Sequence, residues 1–175
     1  MTNSDQSERR TMDCVFFAYF LFQIPSTLLF DTQGVYSESL YPSMFKSLRS
    51  HYLETYRDPF LADAWRHPWY LSICLVEHFI EMPFFFWAAY TYYYYGALKK
   101  PSIIFPSILY AAHTVSAILG IWFMAIGADF SQSEAMAPRN IGERIKLCTA
   151  YAPFFIMSCL ILFDGWRLRR KQKVE

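Results

Sequence analysis

Two glutamates four residues apart, Glu77 and Glu81, sit inside the apolar stretch from Leu71 to Trp87 and are the pair in this chain best suited to chemistry. An acid near the centre of a bilayer-spanning helix costs at least ~2.5 kcal/mol, so such residues face a cavity or a partner inside a bundle. A spacing of four puts both on one helix face about one turn apart. His78 is turned about 100° from Glu77 and need not share that face. Pro83 cannot donate to the carbonyl of Phe79, which predicts a kink beside the acids. Asp31 and Asp58 lie at or near the ends of apolar runs. Asp31 approaches Glu77 if the first two spans are neighbours, and two carboxylates in contact at low dielectric share a proton and attract a lipophilic amine. Blander readings stand beside these. Asp31 is also an interfacial acid, Asp58 a stop before Pro59, His113 a hydrogen-bonded core histidine, and Tyr151 either an interfacial ring or a hydroxyl capping the polar site.

The elements that must position these residues are membrane spans. Of the 175 residues, 54% are hydrophobic and 20% aromatic, and the apolar residues cluster in long runs, which favours a polytopic membrane protein over a soluble globule. Four spans are expected: Cys14 to Phe30, Trp69 to Tyr95, Ser102 to Gly127 and Leu147 to Phe163. The first is read as uncleaved, because Phe30-Asp31-Thr32-Gln33 offers no small-x-small cleavage site. Between spans one and two, Tyr41, Met44, Phe45, Leu48, Tyr52 and Tyr56 recur with helical period. They predict an amphipathic helix from about Pro42 to Arg57, stopped by Asp58-Pro59 and able to lie on the membrane surface. Tyr90 and Tyr92 to Tyr95 read as an interfacial aromatic belt. On span three Ala112, Ser116 and Gly120 form a stripe that lets helices approach closely, and His113 points to the bundle interior.

The fold class is therefore an all-α membrane protein, a four-transmembrane-helix bundle with a luminal amphipathic helix after span one. Residues 1–13 form an N-terminal tail, 14–165 the membrane domain, and 166–175 a basic tail. Arg9, Arg10, Lys99, Lys100 and the basic residues after Trp166 all fall on one side, which places both termini in the cytoplasm. Lys171 and Lys173, fifth and third from the end, resemble the dilysine signal for endoplasmic-reticulum retrieval. Cys14, Cys74, Cys148 and Cys159 show neither disulfide nor zinc spacing. The sequence contains no metal-ligand spacing, phosphate-cradling glycine loop, nucleophile motif or basic nucleic-acid surface, and it calls for no cofactor.

Several segments carry a resemblance: YFLFQIP from Tyr19 to Pro25, LFD ending at Asp31, LYP ending at Pro42, YRDP from Tyr56, MPFF from Met82, His113-Thr114, and YAP from Tyr151. In order and spacing, over about residues 14 to 165, the chain resembles the EXPERA family. The resemblance implies a four-helix endoplasmic-reticulum protein, a homodimer, that binds sterols and hydrophobic cationic ligands in an intramembrane cavity. It also implies a role in cholesterol trafficking alongside the Niemann–Pick type C cholesterol transporter. It assigns Asp31 as counter-ion to a ligand amine, Glu77 as its hydrogen-bonded support and Asp58 as a structural acid, with Glu81, His113 and Tyr151 as further cavity residues. The family also contains sterol isomerases, which protonate one ring carbon and deprotonate another with an acid–base pair in a water-poor cavity. Those enzymes carry a histidine where this chain has Glu77 and a glutamate at Glu81, whereas the receptor branch carries glutamine at Glu81. The leading expectation is a non-enzymatic receptor. The alternative is an isomerase using Glu81, Glu77 and His113.

Overall fold

Long apolar runs broken by proline and polar turns fold into helices throughout the computed structural model, which describes residues 10–130 and 136–172. Its helices are α1 (Thr11–Leu29), α2 (Ser43–Tyr56), α3 (Pro59–Ala62), α4 (Pro68–Val76), α5 (Met82–Tyr94), α6 (Gly96–Lys99), α7 (Ile104–Gly127) and α8 (Ile141–Gln172). A π-helical turn, Glu77–Glu81, joins α4 to α5 into one span. Four stretches are long and apolar enough to cross a membrane: Thr11–Gly34, Pro68–Tyr94, Pro101–Gly127 and Ile141–Lys171. The chain is a multi-pass membrane protein. Arg9 and Lys173, which enter the reading of charge sidedness and the dilysine spacing, lie outside the described residues.

The spans pack as two antiparallel pairs. Phe16 meets Tyr92 near the start of α1, and Thr27 meets Glu77 near its end. In the other pair Trp122 Nε1 donates to the Cys148 carbonyl, while Gly165 lies against Ile104 and Ile108. Two cores result. The larger, around Phe16, Phe20, Phe85, Tyr92 and Tyr110, joins α1 and α5 to α7. Phe20 is fully buried there, stacked on Tyr92 and edge-on to Phe84 and Tyr110. The second core gathers Val35, Phe60, Tyr70, Cys74, Ile121 and Leu147.

Several local details depart from the sequence reading. Pro42 caps α2 rather than entering it. The helix closes on Arg57 in a left-handed conformation (φ 53°), and Asp58 begins α3 instead of merely ending α2. Arg49 fastens α2 to α3 by donating to the Leu61 and Ala62 carbonyls. Tyr90 and Tyr93 to Tyr95 are exposed as a belt requires, but Tyr92 is buried and bonded to Ser107 at 3.0 Å. Ala112 and Ser116 face outward, and nothing lies within 4 Å of a Cβ placed on Gly120, so the small-residue stripe is unpacked within the chain. At the opposite end from α2, buried Asp13 accepts from the Ala97 amide and pairs with Arg10, which also pairs with Asp164. Gly96 (φ +70°) turns against Asp13, where a Cβ would stand 2.6 Å from a carboxylate oxygen.

Candidate functional site

The expected kink is a widened turn. Met82 donates its amide to the Glu77 carbonyl five residues back, the bond that defines a π turn. Pro83, second in α5, has no amide to return the chain to ordinary α bonding at Phe79. Glu77 and Glu81 occupy the two ends of this turn, and both line the same cavity.

That inner chamber encloses about 110 Å³ and also touches Gln23, Asp31, Tyr70, Cys74, Tyr110, His113, Thr114 and Tyr151. The two glutamates bind in different directions. Thr27 Oγ1 on α1 donates to Glu77 Oε1 at 2.7 Å, and His113 Nδ1 on α7 lies 2.7 Å from Glu81 Oε1. Glu81 is buried, whereas Glu77 and Asp31 are half-buried. Asp31 joins Glu77 in the chamber wall, but the side chain that reaches Glu77 from α1 is Thr27. His78 turns away, its ring 5.6 Å from that of Tyr36. Among the described residues, His113 is the basic side chain that lines the chamber. Asp31 and Glu77 thus face a cavity whose wall, among the described residues, holds no lysine or arginine.

A second, apolar chamber of about 420 Å³ lies between α1, α2 and α8 and is walled by Phe22, Pro25, Leu29, Phe45, Leu48, Tyr52 and Ala150 among others. Phe22 and Leu48 are more than half exposed, so this chamber opens on the flank of the bundle. Asp31, Tyr151 and Phe154 line both chambers and form the partition between them.

Tyr151 is not a free cavity hydroxyl. It donates to Asp58 Oδ2 at 2.6 Å, and Tyr52 donates to the same oxygen at 3.1 Å. Asp58 Oδ1 accepts from the Phe60 and Leu61 amides at 3.0 and 3.1 Å, capping α3. Asp58 is completely buried and lines neither chamber. Burial pushes its carboxyl above the usual carboxylate range, and the four donors oppose that rise without cancelling it. The same burial, next to Asp58, raises the Tyr52 phenol. Asp58 therefore supports the partition by holding Tyr151.

The structure brings together Asp31, Glu77, Glu81, His113 and Tyr151 and sets Asp58 behind them. Sequence reading missed Gln23, which α1 carries into the inner chamber, and Tyr110, whose hydroxyl meets Gln23 and Tyr19. The signal available for Gln23 was an uncharged polar residue in the middle of an apolar span. Among the described residues no group of three histidine, cysteine, aspartate or glutamate side chains is arranged to hold a metal ion.

Comparison with known proteins places these features in context. Residues 44–165 match the family described as EXPERA (EXPanded EBP superfamily). Sigma intracellular receptor 2 of Xenopus tropicalis is 33% identical over 167 residues, covering 94% of this chain and 95% of the relative. Its Homo sapiens and Macaca fascicularis counterparts are each 31% identical over 157 residues, covering 88% of this chain and 86% of the relative.

Proposed function

This chain belongs to the EXPERA family, and on that premise we propose that it is a receptor for sterols and hydrophobic cationic ligands in the endoplasmic-reticulum membrane, acting in cholesterol homeostasis. One observation carries this reading. Asp31 stands where a small acidic chamber meets a larger apolar one that is open on the bundle flank. A cationic amphiphile fits that plan, with its amine on Asp31, its polar arm inward beside Glu77 and its apolar body in the outer chamber. Carboxylates in a low-dielectric wall gain most from a cation that brings its own apolar surface. Conversion of Asp31→Asn in detergent-purified protein is expected to abolish binding of a lipophilic tertiary amine. Unchanged affinity would overturn the assignment.

Charge sidedness supports cytoplasmic termini, since Arg10, α6 and the end of α8 meet at one end of the bundle and Lys171 lies on that end. The outward small residues of α7 support self-association as a homodimer. A Niemann–Pick type C cholesterol transporter as partner rests on family likeness.

A second reading is favoured by one contact, the Glu81–His113 pair at 2.7 Å, which supplies an acid and a base facing one cavity as sterol double-bond isomerisation requires. Expression in cells lacking sterol isomerase, with sterols read by mass spectrometry, separates the two. The receptor reading expects no product. Product formed by the wild type and lost in Glu81→Gln establishes the enzyme.

A further inference from the structure

Gln23 is buried (6% exposed), lines the inner chamber, and belongs to none of the acid pairs described above. Its Nε2 donates to the Tyr110 hydroxyl at 3.3 Å, and that hydroxyl lies 2.6 Å from the hydroxyl of Tyr19. Its other end, Oε1, is buried and has no hydrogen-bond partner among the described residues. An unsatisfied buried acceptor costs about 1–3 kcal/mol, and native structures rarely leave one without a reason. Two candidate donors are already engaged: Thr27 Oγ1 by Glu77 and His113 Nδ1 by Glu81. Rotation about the last side-chain torsion of glutamine is soft, so turning Oε1 toward the chamber costs no more than the long bond from Nε2 to Tyr110. Asp31 follows just past the end of α1 and lines the same chamber.

Resting on the receptor reading above, the geometry points to Gln23 as a second ligand anchor, an acceptor for a hydroxyl or N–H carried on the arm that enters the inner chamber. The preferred ligand is then an amphiphilic amine with three parts: an apolar body in the outer chamber, an ammonium at Asp31, and a short arm ending in a hydrogen-bond donor. A chamber of about 110 Å³ admits an arm of only a few heavy atoms. Gln23 confers selectivity for the donor, and Asp31 confers affinity for the charge.

The test uses two lipophilic tertiary amines, identical except that one bears a terminal hydroxyl on a short alkyl arm, in competition binding to the detergent-purified full chain. Wild type is expected to prefer the hydroxylated amine by about tenfold, the effect of one net hydrogen bond. Gln23→Leu is expected to remove that preference, so that the two amines bind with equal affinity, and retained binding of the hydroxyl-free amine also reports a folded variant. Should Gln23→Leu bind neither amine, Gln23→Met, which also lacks the acceptor, makes the same comparison. Equal affinities in the wild type, or a preference that survives loss of the acceptor, overturn the anchor and leave the receptor reading standing. Wild type that binds neither amine removes the receptor reading, and the anchor with it.

Discussion

Glu81 and His113 meet at 2.7 Å between the second and third spans, while Glu77, at the other end of the same π turn, is held by Thr27 of the first. The turn is thus fastened to neighbours on two sides. The arrangement also divides the acids by charge balance. Glu81 has an imidazole beside it, and Asp31 and Glu77 share a wall that holds no lysine or arginine among the described residues.

The two glutamates should therefore respond differently to neutralisation. Glu77→Gln is expected to weaken binding of a lipophilic tertiary amine by about tenfold, since it removes an unbalanced charge near the ammonium. Glu81→Gln keeps a hydrogen bond to His113 and should change affinity by less than about threefold. Equilibrium binding on the two purified variants checks this, and equal losses would show that the His113 contact does not offset Glu81.

Asp58 should matter for stability before it matters for binding. Asp58→Ala removes four hydrogen bonds at a fully buried site and is expected to cost about 2–4 kcal/mol. Asp58→Asn preserves an acceptor for the Phe60 and Leu61 amides and should cost much less. The raised carboxyl gives a pH signature. Between the ordinary carboxylate range and its elevated folded value, the native state holds a proton that the unfolded chain has lost. Stability contributed by Asp58 is complete below the unfolded value and is lost as pH rises through the folded one. The thermal midpoint of wild type relative to Asp58→Asn should fall with rising pH across that window. A constant difference from pH 4 to pH 8 would contradict it.

The outer chamber should select for the ligand body. Ala150 lines it without touching the inner chamber. Ala150→Phe fills part of the roughly 420 Å³ and is expected to weaken an amine with a bulky apolar body by about tenfold. A small amine of the same head group should be nearly unaffected. Equal effects on both would place the ligand body elsewhere.

What the sequence made legible follows from physical cost. Four spans could be read because runs of apolar residues have few alternatives, and Glu77 and Glu81 because a buried acid is too unfavourable to be incidental. Pro83 announced a disturbance but not its form, since a missing amide is compatible with a kink or a widened turn. Asp58 read as a helix stop because its partners, Tyr52 and Tyr151, come from helices whose placement sequence spacing does not reveal. Tyr92 merged with the tyrosines around it, although packing against Phe16 and Phe20 sets it in the core. Gln23 carries no charge, so its cost in a membrane span is too small to stand out until its unpaired oxygen is located.

The π turn also acts as a phase adjuster for the second span. From Cys74 to Phe85 an unbroken α-helix would complete three turns to within about 20°, pointing both residues at one neighbour. The additional residue of the turn takes back about 100° of rotation. Cys74 can then enter the core around Phe60 and Leu147 while Phe85 enters the one around Phe20 and Tyr110. Deleting a single residue between Val76 and Met82 would leave ten residues at about 100° each, the same net rotation, so the span would close as an ordinary α-helix and keep both cores. The π turn is where the span absorbs one residue more than an α-helix of the same phase would hold, and Glu77 and Glu81 stand at its two ends.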